Sequence, residues 1–330
     1  MQPTLIGSAE PLRGRESDGP RRALIIAGPT ASGKSALALQ LAERFGGTII
    51  NADAMQCYRE LRVVTARPPP EDEARAPHVL YGVLPAATPG SVAWWREAAL
   101  VQMAQARLPI LCGGTGMYLR ALIQGLSMLP GIPPEAREAA RARLATLGAA
   151  RLHAELHPED AARLRPSDSQ RIARALEVFL ATGQSLATWH RMAPRLPPAD
   201  YDFRAILLTP PRAELHPAIV ARWAMMRGQG ALAEVGALLE QGLDPNLPAM
   251  RAHGVPELAA EWRGEIGMAE ADARSIGGTW TYTRRQATWF RHQHLVAPTA
   301  THRINARIAG LTQFSERNAP EIFAFLQGAG

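Results

Sequence analysis

Lysine is almost missing from this chain. Of the 36 lysine and arginine residues in its 330 positions, only Lys34 is lysine. The chain is also rich in alanine, so codon composition accounts for most of the surface arginines, but not for the one lysine that stayed. Cysteine is scarce too. Cys57 and Cys112 are too few for a disulfide framework and have no Cys or His neighbours at zinc-ligand spacing. This argues against a secreted, disulfide-stapled scaffold and for a reducing compartment; the expected location is the cytoplasm. No apolar run reaches the roughly 18 residues that cross a bilayer, and Gly14–Arg22 is polar and charged where a signal peptide would be apolar. What is present is a globular composition, 47% hydrophobic and 20% charged, with enough residues for one large or two modest domains. A net charge of +6 favours polyanionic partners.

The first half alternates strand and helix patterns. Ala23–Ala27 (ALIIA) fits a buried parallel strand, followed by a Gly-rich turn. Ser35–Phe45 places Leu37, Leu41 and Phe45 on one helical face and ends at Gly46-Gly47. Thr48–Asn51 is a second strand, Val79–Leu84 a weaker third and Pro109–Cys112 a fourth. Ser91 is placed to cap a helix running to about Arg107, and another helix starts near Gly116. Beyond the proline-rich hinge at Pro130–Pro134 the pattern turns helical, with Ser167-x-x-Gln170 read as a capping box for a helix ending at Gly183. Strand character returns at Phe203–Thr209, after a second proline-rich joint. The expected fold is α/β: a P-loop NTPase-like core with a parallel sheet flanked by helices, carrying an all-helical insertion. The expected division is a disordered leader over 1–20, a core over 21–129 and 200–315, the insertion over 130–199 and a C-terminal tail over 316–330.

Gly28-Pro29-Thr30-Ala31-Ser32-Gly33-Lys34-Ser35 fits G-x-x-x-x-G-K-[ST], with a strand before it and a helix after. Such a loop curls its backbone N–H groups around phosphate oxygens at a helix N-terminus. Lys34 supplies a compact charge, and the Ser35 hydroxyl can ligate Mg²⁺. The loop does not name the chemistry. The strands Ile110–Cys112 and Ile206–Leu208 end in Gly and Thr, without the metal-holding aspartate of most NTPases. Only the second strand delivers an acid, Asp53, which can be a base for an acceptor nucleophile or merely a turn residue. A small-molecule kinase stays open on these grounds.

Six further stretches narrow the choice. They are INADAMQCYREL (50–61), TARP (65–68), APH (76–78), GGTGMYLRAL (113–122), SDSQRIARALEVF (167–179), and the spaced set Arg222, Met226, Gly230 and Glu234-Val235. Together with GPTASGKS they make the chain resemble the tRNA dimethylallyltransferase (tRNA isopentenyltransferase) family from about 23 to 291. The resemblance implies transfer of a dimethylallyl group from dimethylallyl diphosphate to the N6 amine of adenine 37 in tRNA. It implies that the P-loop holds a leaving diphosphate, with Mg²⁺, in an enzyme that is usually a monomer. Residue by residue, it implies Asp53 as general base, with Thr115 and Lys34 at the reaction centre and Arg222 at the diphosphate. It implies tRNA contacts at Ala54, Met55 and Gln56, at Arg137, along Gln170, Arg171, Ile172, Ala173 and Arg174, and at Arg284 and Arg285. A related enzyme that prenylates free adenylate is the nearest alternative; the large insertion, a grip suited to an anticodon stem-loop, argues against it. The chain departs from the family pattern at Ala54, at Arg67 where lysine is usual, at Gly254-Val-Pro-Glu257 where a tyrosine is lost, and at Trp280 where arginine is expected.

Overall fold

A computed structural model describes residues 20–309 and 319–327. The expected leader lies almost wholly outside them. The described residues form two compact units, the smaller Gly125–Pro198 and the larger the rest of them, so the smaller unit starts five residues before the hinge read from the prolines.

The larger unit opens with β1 (Arg21–Ala27), α1 (Lys34–Phe45), β2 (Thr48–Asn51), α2 (Pro70–Arg75), β3 (His78–Val79), α3 (Val92–Gln105), β4 (Pro109–Gly113) and α4 (Gly116–Ile123). The smaller unit holds β5 (Leu126–Ser127), α5 (Pro134–Ala154), α6 (Pro158–Ala161), α7 (Ser169–Thr182), α8 (Leu186–Met192) and β6 (Arg195–Leu196). The chain then returns with β7 (Tyr201–Leu208), α9 (Arg212–Gly228), α10 (Ala231–Leu239), α11 (Val255–Trp262), α12 (Met268–His292), β8 (Thr301–Ile304) and α13 (Ala319–Gln327).

Six strands form a parallel sheet in the order β3-β2-β4-β1-β7-β8. A parallel sheet is buried on both faces, which explains the unbroken apolar run in β1. Its side chains alternate between two cores. Ala23, Ile25 and Ala27 join Trp95, Met103, Val235 and Phe290 on one face, while Leu24 and Ile26 join Leu37, Leu41, Phe45 and Ile322 on the other. Ser91 caps α3 as expected, its hydroxyl accepting from the Trp94 N–H.

Four expectations need correction. The third strand stops at Val79, because Leu80 and Gly82 take positive φ (65° and 60°) and turn the chain out of the sheet. Asp168, not Ser167, caps α7, its carboxylate accepting from the Arg171 N–H, so Ser167 and Gln170 do not form a capping box. The insertion is not wholly helical: β5 and β6 form a short antiparallel ribbon that pairs its entering and leaving strands. Within the stretch read as a tail, α13 packs on the sheet, with Ile322 and Leu326 buried and the Arg22 and Arg204 side chains bonding to the Leu326 and Phe325 carbonyls. The smaller unit has its own core, built from α5 and α7 through Ala140, Leu152, Ile172 and Leu176. Gly148 breaks α5 at φ 73°, ψ 164°.

Candidate active site at the carboxyl edge of the sheet

The site residues gather where β1, β2 and β4 end, the usual ligand edge of an open α/β sheet. After β1 the phosphate loop curls through positive φ at Gly28, Ala31 and Gly33, and α1 begins at Lys34. A Cβ on Gly33 would lie 2.1 Å from the Ile308 carbonyl oxygen, so only glycine fits there. The loop is closed from outside by the segment after β8: the Ile308 N–H donates to the Ser32 carbonyl (3.0 Å), and Arg307 Nε donates to the Ala31 carbonyl (2.9 Å). The Lys34 ammonium lies inside this cradle, donating to the Pro29 carbonyl (2.7 Å). Burial pulls its pKa down to about 8, opposed by the nearby Cys112 and Asp53. Ser35 is exposed at the first turn of α1, and its hydroxyl bonds to the Cys112 thiol.

After β2, a buried asparagine fixes the acid. Asn51 accepts from the Asp53 N–H (2.8 Å) and donates to the carbonyls of Asp53 and Leu80 (both 3.0 Å). Trp95, buried in α3, donates to the Asn51 carbonyl (2.7 Å) and stacks on Tyr118. Asp53 Oδ1 accepts from the Met55 N–H (3.0 Å). After β4, Thr115 Oγ1 accepts from the Ala54 N–H (3.0 Å), tying the ends of β2 and β4 together. Lys34, Arg222 and Tyr282 each lie within electrostatic range of Asp53. The half-buried carboxylate thus sits in the field of two cationic side chains, Lys34 and Arg222.

Two residues on α12, one turn apart, complete the arrangement, and neither was given a role from sequence. Gln286 is buried. Its Oε1 accepts from both the N–H and hydroxyl of Thr30 (2.9 and 3.0 Å), and its Nε2 donates to the Gly114 carbonyl (3.1 Å). It thus bolts the phosphate loop to the loop that carries Thr115. The Tyr282 hydroxyl bonds to Thr115 and Gln286, and burial with the nearby Asp53 pushes its pKa up to about 12, so it stays neutral. The signal was the i, i+4 spacing of two polar side chains on an otherwise amphipathic helix.

Asp53, Thr115, Lys34, Arg222 and residues 28–35 are therefore brought together. Gln56 is half-buried with its amide nitrogen donating to the Thr65 and Ala66 carbonyls (2.9 and 3.1 Å), engaged with the chain itself. Arg284 and Arg285 are exposed on α12, and Trp280 packs edge-on against His216. In the smaller unit, Arg137, Gln170 and Arg171 are exposed, Ala173 is half-buried, and Arg174 pairs with Glu177 (2.9 Å). Ile172 is fully buried in that unit's core and cannot touch RNA, which corrects its place in the expected contact set.

The sequence model of the IPP transferase family matches residues 56–293, and that of isopentenyl transferase matches 21–79. The chain belongs to the IPP transferase family. It is 56% identical over 314 residues to the tRNA dimethylallyltransferase of Granulibacter bethesdensis, covering 93% of this chain and 98% of that one. It is 57% identical over 282 residues to the Gluconobacter oxydans enzyme of the same name, covering 83% and 85%. Among solved structures of IPP transferase relatives, the tRNA isopentenylpyrophosphate transferase of Bacillus halodurans aligns with TM-score 0.64 at 26% identity, covering 93% of this chain and 98% of that one. A eukaryotic dimethylallyltransferase acting on tRNA shares the fold, with TM-score 0.73 at 21% identity, over 92% of this chain and 78% of that one.

Proposed function

We propose that this IPP transferase moves the dimethylallyl group of dimethylallyl diphosphate onto the N6 amine of adenine 37 in tRNA, releasing diphosphate. The observation that carries the reading is the juxtaposition of an anion cradle and a carboxylate, the phosphate loop with Lys34 on one side and Asp53 on the other. Breaking the allylic C–O bond concentrates negative charge on the departing diphosphate, which the loop N–H groups, Lys34 and Arg222 are placed to stabilise. The allylic carbon becomes electron-poor, and the adenine amine, whose lone pair is delocalised into its ring, attacks it. As the C–N bond forms, the amine proton passes to Asp53. Thr115, hydrogen-bonded to the chain beside Asp53, holds that side of the site in place. The adenine must leave its stack to arrive there. The exposed arginines of the smaller unit suit the phosphates of an anticodon stem-loop.

Magnesium fits this site with one protein ligand. Ser35 is exposed at the mouth of the cradle, and among the described residues no group of three His, Cys, Asp or Glu side chains could hold a metal alone. An ion held by the Ser35 hydroxyl together with substrate phosphate oxygens matches the preference of Mg²⁺ for phosphates and water. When bound, it would add charge stabilisation to the leaving diphosphate. Among the described residues no helix is long and apolar enough to cross a membrane, and we place the reaction with tRNA in the cytoplasm.

The test is direct. Purified protein with dimethylallyl diphosphate, Mg²⁺ and an anticodon stem-loop bearing adenosine 37 should yield the prenylated nucleoside. Asp53→Ala should slow this by roughly 10²–10⁴-fold while the protein stays folded by circular dichroism. Full activity in that variant would remove Asp53 from the role of base.

A further inference from the structure

The turn at residues 62–66 belongs to no helix or strand, yet two site residues hang from it. The Thr65 carbonyl accepts from Arg222 Nη2 (3.1 Å) and from Gln56 Nε2 (2.9 Å), and the Ala66 carbonyl accepts from Gln56 as well (3.1 Å). A turn that positions side chains must itself be fixed, and this one is not at rest by default. Ala66 sits at φ 48°, a left-handed conformation that costs any residue with a Cβ.

Besides its own bonds, from the Ala66 N–H to the Val63 carbonyl (2.9 Å) and from the Arg67 N–H to the Arg62 carbonyl (3.0 Å), one distant carboxylate holds it. Glu234 Oε2 accepts from the N–H groups of Arg62 (2.8 Å) and Val63 (2.7 Å), and its Oε1 accepts from the N–H of Val64 (2.9 Å). Three successive backbone donors converge on a single side chain, and all three bonds are charge-assisted. Glu234 also lies in the first turn of α10, where the helix dipole favours a negative charge. The turn is thus gripped from two helices. Glu234 of α10 takes its donors, and Arg222 of α9 takes an acceptor.

We propose that Glu234 is a positioning residue for the transfer reaction: by clamping the 62–66 turn it sets the direction of the Arg222 guanidinium toward the diphosphate. It touches neither substrate and acts only through the turn. The proposal rests on the assignment of Arg222 to the diphosphate.

The experiment is a double-mutant cycle read by calorimetric binding of inorganic pyrophosphate in the presence of Mg²⁺, using wild type, Glu234→Ala, Arg222→Ala and the double variant. Arg222→Ala should weaken binding by roughly ten- to a hundredfold, the loss of one hydrogen bond to a charged group. Glu234→Ala should weaken it to a comparable degree, and the double variant should bind no worse than Arg222→Ala alone. The isosteric Glu234→Gln, which keeps one acceptor oxygen, covers the case in which the alanine variant does not fold; it should fall between wild type and Arg222→Ala. Equal weakening by the Glu234 change whether or not Arg222 is present would overturn the proposal and leave Arg222 in place. So would wild-type affinity in both Glu234 variants. Unchanged binding in Arg222→Ala would overturn the proposal and the assignment of Arg222 together.

Discussion

Lys34 occupies a position where its charge is costly and useful at once. Burial disfavours the ammonium, yet the proposed reaction places a departing diphosphate there, which needs a positive point charge. The chain uses arginine almost everywhere else, even at Arg67, whose guanidinium packs against Gly82. It does not do so in the cradle, where the Pro29 carbonyl lies 2.7 Å from the amine. A planar guanidinium is too wide for that space. Lys34→Arg should therefore lose most prenyl transfer while keeping its circular dichroism spectrum; near-normal turnover would contradict this. The lowered pKa sets a pH dependence too. In the proposed reaction it is the protonated form that holds diphosphate, and raising the pH through about 8 removes the proton. Pyrophosphate affinity should thus hold below that pH and fall by about tenfold per unit above it. Lys34→Met should bind weakly with no such slope. A titration in which both proteins lose affinity in parallel would assign the pH effect elsewhere.

Among the elements, those with a local cause could be read in advance, and those with a tertiary cause could not. The apolar run of β1, the Gly-Gly stop after α1 and the serine cap of α3 all lie within a few residues of what they control. The early end of β3 depends on Leu80 adopting a positive φ, which no leucine announces. The phosphate loop and Asp53 were legible for the same local reason. The roles of Gln286 and Glu234 were not, although Glu234 stands in the spaced family set, because each holds a loop far away in the chain, Gln286 at Thr30 and Glu234 at Arg62–Val64. The C-terminal helix belongs with this second group. Its two buried anchors, Ile322 and Leu326, cover Phe45 and the sheet. Ending the chain at Asn318 would return both to water at about 1.5–3 kcal/mol each. Chemical denaturation should show a loss of roughly 3–6 kcal/mol; a midpoint equal to the full chain would mean that the helix contributes nothing to stability.

At the scale of the whole molecule, the insertion leaves and rejoins the core at neighbouring points. The Ala199 N–H donates to the Leu122 carbonyl (2.7 Å), so the core already closes across the gap. Replacing 125–198 with a short Gly-Ser linker should give a folded protein that binds pyrophosphate like wild type and modifies no anticodon stem-loop. Retained modification would deny the insertion its part in holding tRNA, and lost pyrophosphate binding would show that the cradle depends on it. The cradle does depend on another distant part of the chain. Its motif is complete at Ser35, but Ile308 and Arg307 supply the contacts that close it, and the strand on one side of β1 is β7. Synthesis runs from the motif toward β8, so the loop sequence is made well before the residues that close it. A nascent chain that has not yet passed Ile308 carries every residue of the motif yet lacks the contacts from Arg307 and Ile308 that close the cradle, and it should capture pyrophosphate poorly until they are made.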